Sequence, residues 1–89
     1  MIKTNVQIIN KLGLHARAAA KFVTLASKFS CHVQLEKNTQ SVNGKSIMGV
    51  MMLAASKGTS LVLITDGKDE QQATVELNEL IQHRFGENE

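Results

Sequence analysis

The chain has 89 residues, enough for one domain spanning residues 1–89 with a small core, and 43% of them are hydrophobic. Its apolar runs are short and interrupted, which excludes a membrane-spanning helix, and no signal peptide is recognisable, so we expect a cytoplasmic protein. A single cysteine excludes an internal disulfide framework and a cysteine metal cluster.

The charges are unevenly distributed, although the net charge is only +2. Through Lys57 there are eight basic residues and one acidic residue, whereas from Gly58 onward there are two basic and seven acidic residues. This asymmetry either steers the basic part toward an acidic partner or is neutralised when the chain folds. With no Trp or Tyr and only three Phe, the chain lacks the stacking platform that single-stranded nucleic acids require, so we expect no nucleic-acid partner.

The first part of the chain predicts a strand, a helix and a second strand. Apolar and polar residues alternate over residues 2–8, which is typical of a half-buried strand. From residue 16 to about residue 28, apolar residues recur at helical spacing and basic residues lie on the opposite face. The alternation returns over residues 31–36 and predicts the second strand.

The remainder predicts two further strands and two helices. A short strand at 41–42 is followed by a helix from Ser46 to about residue 55, and the apolar run 60–65 predicts a central strand. Asp69 followed by Gln72 resembles a capping box for a last helix. The order β-α-β-β-α-β-α predicts an α+β fold, a two-layer open-faced sandwich with a largely antiparallel four-stranded sheet and three helices on one face.

His15 lies directly before the predicted first helix. The unpaired N–H groups and partial positive charge at that end of a helix bind anions, and Arg17 adds a forked cation suited to phosphate oxygens. The other two histidines lie in separate predicted elements, so we expect no metal. This pattern favours a phosphohistidine carrier over a stand-alone catalyst, although a histidine at a helix start is more often a cap or a surface residue.

Ser46 has two interpretations. It is well placed to cap the second helix, and it is also a candidate for regulatory phosphorylation beside Lys45. Gly44 and Lys45 do not belong to a nucleotide-binding loop, because Thr39 stands where that motif requires glycine.

The second predicted helix has too many apolar residues for one buried face. Val50 and Leu53 share a face and are expected in the core. Ile47, Met48 and Met51 then form an exposed apolar patch, and methionine suits a surface that fits several partners. Burial of all of these residues remains the alternative.

Two segments together resemble the histidine-containing phosphocarrier family, HPr, of the bacterial phosphotransferase system: Gly13–Ala20 (GLHARAAA) and Lys45–Leu53 (KSIMGVMML). The resemblance covers essentially the whole chain. It implies that enzyme I, phosphorylated by phosphoenolpyruvate, passes its phosphoryl group to Nδ1 of His15, and that His15 hands it to a histidine of an enzyme IIA domain. Arg17 would assist at the phosphate. The chain would act as a monomer without a cofactor.

The resemblance also implies a docking surface and a regulatory site. Ser46 matches the position that a dedicated kinase phosphorylates in many members. Ala18 stands where many relatives carry proline, and alanine-rich versions resemble the nitrogen-related NPr branch. A different class of function stays open, namely a regulatory binding module controlled by Ser46 with His15 idle. The residues that match the docking surface are Lys21, Lys45, Ile47, Met48 and Met51.

Overall fold

The computed structural model describes all 89 residues of the chain as a sheet covered on one face by helices. No helix in it is both long enough and apolar enough to cross a lipid bilayer. In chain order the elements are β1 (Ile2–Gln7), α1 (Ala16–Ala26), β2 (His32–Lys37), β3 (Gln40–Asn43), α2 (Ile47–Met52), β4 (Ser60–Asp66) and α3 (Glu70–Gln82), followed by a 3-10 turn at Arg84–Gly86.

The four strands form one antiparallel sheet in the order β1-β4-β2-β3. Strand β4 pairs with β1 on one side and with β2 on the other, so it is central, as its continuous apolar run predicts. Its inward side chains include Leu61 and Leu63, which are almost completely buried. The polar side chains that alternate with the buried ones along β1 and β2 lie on the opposite, uncovered face of the sheet.

The hydrophobic core lies between the sheet and the three helices. Helix α1 contributes Phe22, α3 contributes Leu77, and Leu53 enters the core directly after α2. The predicted α+β sandwich with its helices on one face is therefore confirmed.

Two helices end earlier than the sequence pattern predicts. Helix α2 begins as predicted, because the Ser46 hydroxyl accepts a hydrogen bond from the Gly49 N–H at 3.1 Å. It ends at Met52 and not near residue 55, because Ala54 adopts a left-handed conformation with φ 50°. Helix α1 likewise ends slightly earlier than predicted, at Ala26.

The predicted capping box of α3 is wrong. Asp69 stands at the N-cap position, but its side chain makes no cap hydrogen bond. Its carboxylate instead accepts the backbone N–H groups of Ser30 and Cys31 at 2.8 and 2.9 Å. These two bonds lower the pKa of the Asp69 carboxyl, the bond from Ser30 having the larger effect. Asp69 therefore joins the start of α3 to the loop before β2.

Gly13 fixes the path of the chain into α1. Its φ is +69°, and a Cβ placed on it would lie 2.5 Å from the carbonyl oxygen of Ala55. The same oxygen accepts the N–H of Leu14 at 2.9 Å. The position therefore requires glycine for both its conformation and its close approach, and the loop before α1 is held against the segment that follows α2.

The close approach at Gly13 predicts a large effect of a single added methyl group. Gly13→Ala should lower the free energy of unfolding by about 3 kcal/mol, from left-handed strain plus a backbone overlap. Gly58→Ala is the matched control, because Gly58 also has positive φ (+93°) but has no atom within 4 Å of the added carbon. It should cost only about 1 kcal/mol. Urea unfolding measures both, and equal losses would contradict this account of Gly13.

Candidate functional site

His15 occupies the N-cap position of α1, with extended backbone angles of φ −71° and ψ 175°. Its carbonyl accepts the first hydrogen bond of the helix, from the Ala19 N–H at 2.8 Å. The N–H groups of Ala16, Arg17 and Ala18 precede that bond, and no side chain caps them. The predicted combination of an imidazole and a free helix N-terminus is present, and the His15 side chain is 26% exposed.

Glu87 lies directly against the imidazole. Its Oε2 is 2.5 Å from Nε2 of His15, and its Oε1 accepts a hydrogen bond from the Asn10 side-chain amide at 2.9 Å. Nδ1 of His15 has no hydrogen-bond partner in the chain. The two ring nitrogens therefore differ: Nε2 is engaged, and Nδ1 is available.

A turn after α3 brings Glu87 to this place. The side chain of Phe85 is completely buried in the core, and its carbonyl accepts a hydrogen bond from Lys21 Nζ at 2.7 Å. Further along, the Lys11 N–H donates to the Glu89 carbonyl at 2.6 Å. Sequence reasoning missed Glu87, because it lies 72 residues from His15 and no motif links the two.

The Glu87 carboxyl is held in its ionised form. Its pKa is lowered mainly by the hydrogen bond from Asn10, and further by the hydrogen bond and charge of His15. The Asn10 side chain is completely buried and also donates to the Gly13 carbonyl at 2.8 Å. The carboxylate thus joins the loop before α1 to the histidine at the start of α1.

An open groove of about 550 Å³ lies beside Glu87. Arg17 is exposed on its wall and makes no ion pair or side-chain hydrogen bond within the chain, so its guanidinium is free to bind an anion. No group of three or more His, Cys, Asp or Glu side chains in the chain is arranged to hold a metal ion. The groove is lined by Lys11, Leu12, Arg17, Lys21, Gly86, Glu87, Asn88 and Glu89.

The apolar residues predicted to be exposed on α2 are exposed: Ile47 by 43%, Met48 by 72% and Met51 by 39%. Val50 and Leu53 are buried, as predicted. Met52, which is 66% exposed, extends this patch, and the sequence pattern did not assign it.

The predicted basic residues divide into free and engaged cations. Lys45 Nζ donates to the Phe29 carbonyl at 2.6 Å, as Lys21 Nζ does to Phe85, so neither ammonium group is free. Arg17, on the first turn of α1, and Lys28, beyond its end, have no partner within the chain. Ser46 is half-buried as the cap of α2, directly before the exposed Ile47.

The chain is similar to proteins of known family along its whole length. A family model described as "PTS HPr component phosphorylation site" matches residues 2–83. The phosphocarrier protein HPr of Neisseria meningitidis serogroup A is 57% identical over 89 residues, with 100% of both chains covered. That of Pseudomonas aeruginosa is 59% identical over 85 residues, 94% of each chain. The crystal structure of HPr-C-His from Thermoanaerobacter tengcongensis superposes with a TM-score of 0.96, at 47% identity and with 100% of both chains covered.

The low pKa of Glu87 predicts a pH-dependent contribution to stability. A carboxyl whose pKa is lowered by folding stabilises the protein above about pH 4.5, the ordinary range for glutamate, and loses that contribution as the pH falls through the lowered pKa. The wild type should therefore be more stable than Glu87→Gln at neutral pH, and the difference should shrink as the pH falls below the ordinary glutamate range.

Urea unfolding at several pH values measures this difference. Glu89→Gln is the control, because its carboxylate is 72% exposed in the same segment, and it should differ little from the wild type at any pH. If the difference in the free energy of unfolding between the wild type and Glu87→Gln grew on acidification, it would contradict this account of Glu87.

Proposed function

The chain belongs to the HPr family of phosphocarrier proteins of the phosphotransferase system, and on that premise we propose that His15 receives a phosphoryl group from phosphorylated enzyme I and donates it to an enzyme IIA domain. One observation carries the assignment of His15. Its imidazole stands at an uncapped helix N-terminus with Nε2 engaged and Nδ1 free. A nitrogen nucleophile beside an anion site is what a phosphohistidine requires.

The proposed transfer uses groups of this chain in distinct roles. The lone pair of Nδ1 attacks phosphorus, and the N–H groups that open α1 face the negative oxygens that the transfer brings. Arg17 has an unpaired guanidinium two residues from the nucleophile, and we assign it to the phosphate oxygens. The chain is then an intermediate in a relay and not a catalyst acting alone.

We assign partner docking to the apolar patch on α2 and to the cations around it. Ile47, Met48 and Met51 are exposed, and α2 packs beside α1, so the patch and His15 belong to neighbouring elements. Lys45 directly precedes α2 and Lys21 lies on α1, and the ammonium groups of both are already bound to carbonyl oxygens. They therefore contribute long-range attraction to an acidic partner more than direct ion pairs.

We assign Ser46 to regulation by a dedicated kinase and phosphorylase. Its hydroxyl caps α2, and a phosphate there would add negative charge immediately before the apolar docking residues. Such a charge weakens docking to an acidic partner. The acceptor domain determines the pathway: a sugar-transport enzyme IIA places the chain in sugar uptake, and a nitrogen-related one places it in a regulatory relay.

The relay predicts a covalent intermediate on one histidine. Incubation with phosphoenolpyruvate and active enzyme I should add one acid-labile phosphoryl group to the wild type and none to His15→Ala, measured by intact mass. His32→Ala is the control, since His32 is exposed on β2, and it should be phosphorylated normally. A wild-type chain that takes no phosphate from its own enzyme I would instead favour the binding module controlled by Ser46.

The docking surface predicts which exposed apolar residue matters. Met48→Ala should raise the Kd for enzyme I by about fivefold, corresponding to about 1 kcal/mol. Val75→Ala is matched to it, because Val75 is 53% exposed on α3, and it should bind as the wild type does. Calorimetric titration at two salt concentrations should also show weaker binding at the higher one. Equal losses in both variants would place the docking surface elsewhere.

A further inference from the structure

We propose that Glu87 is a positioning residue for the phosphoryl transfer: its carboxylate keeps the imidazole proton of His15 on Nε2, and so keeps the lone pair of Nδ1 free in both transfer steps. This inference rests on the proposed function of His15 and adds to it a residue from the other end of the sequence. It identifies the group that selects one ring nitrogen as the nucleophile.

The direction of the hydrogen bond follows from the chemistry of the two partners. An ionised carboxylate only accepts hydrogen bonds, and the contacts of Glu87 favour its ionised form. Nε2 of His15 therefore donates the hydrogen bond, and Oε2 of Glu87 accepts it at 2.5 Å. In the neutral ring the other nitrogen, Nδ1, then has no proton and carries the lone pair.

Asn10 fixes the second oxygen of the carboxylate. The Asn10 side-chain NH2 donates to both the Gly13 carbonyl and Oε1 of Glu87, at 2.8 and 2.9 Å. Both of these neighbours are acceptors, so the amide cannot turn its oxygen toward them. Its own oxygen remains unpaired although the residue is completely buried. The two donated bonds, to the Gly13 carbonyl and to Glu87, therefore fix the orientation of the Asn10 amide.

The backbone of the turn after α3 is strained in the same place. Arg84, Phe85 and Gly86 have successive φ values of 56°, 55° and 79°, all in the left-handed region. Two of these residues are not glycine, so the conformation persists only because other contacts impose it. The buried ring of Phe85 holds the inner side of the turn, and the contacts of Glu87 with His15 and Asn10 hold its far end.

The fixed proton simplifies both transfer steps. When Nδ1 attacks, an N–P bond forms on His15, the N–P bond of the donor breaks, and its electron pair returns to the donor nitrogen. The ring of His15 then carries a positive charge that the Glu87 carboxylate stabilises across Nε2–H. In the second step the N–P electron pair returns to Nδ1 as the acceptor nitrogen attacks phosphorus. The proton on Nε2 stays in place throughout, so neither step waits for proton transfer on His15.

The same geometry makes Glu87→Gln a sharp test. A glutamine has one oxygen and one NH2 where Glu87 has two acceptors. Because Asn10 donates and cannot turn, the glutamine oxygen must face Asn10 and its NH2 must face His15. The ring nitrogen Nε2 then becomes an acceptor, and the proton moves to Nδ1. Glu87→Gln should therefore invert the tautomer, whereas Glu87→Ala should leave a mixture of both.

Long-range proton–nitrogen NMR of the full 15N-labelled chain measures the tautomer directly, without any partner. The wild type and the control Glu89→Gln should show the proton on Nε2, and Glu87→Gln should show it on Nδ1. Backbone amide spectra of each variant check that the fold is intact. A wild-type ring with its proton on Nδ1, or the same tautomer in all variants, would overturn the proposal.

Single-turnover phosphorylation by enzyme I then tests the role in transfer. The rate for Glu87→Gln should fall about tenfold or more. Glu79→Gln, which makes the same substitution on the exposed face of α3 and outside the groove, should keep the wild-type rate. An unchanged rate, or a faster one from removing a negative charge near phosphate, would show that Glu87 does not position the nucleophile. If the wild type accepts no phosphate at all, the proposed function itself fails, and the tautomer measurement separates that result from a failure at Glu87.

Discussion

The position at which the chain enters α1 is the constraint on which the site depends. Gly13 has no room for a side chain against the Ala55 carbonyl, and the same carbonyl binds the N–H of Leu14. These contacts fix the loop two residues before the imidazole, so the ring of His15 and the open end of α1 are presented together. In the proposed transfer a phosphoryl group meets a nucleophile and an anion site at once, and a fixed entry into α1 places both before a partner arrives.

Most of the fold was predictable because its signals are local. The alternation in β1, the apolar run of β4 and the cap at Ser46 each depend on residues within a few positions of one another. The error at Asp69 has the opposite character. Its sequence context is typical of a cap. In the folded chain, however, its carboxylate accepts two N–H groups of a distant loop and makes no cap hydrogen bond. A local capping preference is lost where the same side chain forms hydrogen bonds with a distant part of the chain.

The site was predictable only in the part that lies on one segment. His15 and Arg17 are neighbours in sequence, whereas Glu87 reaches the imidazole only through the turn after α3. The uneven charge distribution has a similarly mixed outcome. The acidic end of the chain returns to the basic part at Glu87 and Glu89, and several lysines bind carbonyl oxygens, while the Arg17 guanidinium remains free. Internal pairing therefore neutralises part of the asymmetry, and the Arg17 guanidinium stays outside that pairing.

The strand order has a consequence for how the molecule assembles. Strand β1 pairs only with β4, so Ile2 must meet Thr65 across most of the chain before the sheet is complete. Closing so long a loop is slow compared with forming a helix or a hairpin. The contact between Asn10 and Glu87 spans 77 positions, so it closes a longer loop than the pairing of Ile2 with Thr65 does. During synthesis His15 therefore emerges early, whereas Glu87, which contacts its ring, emerges 72 residues later.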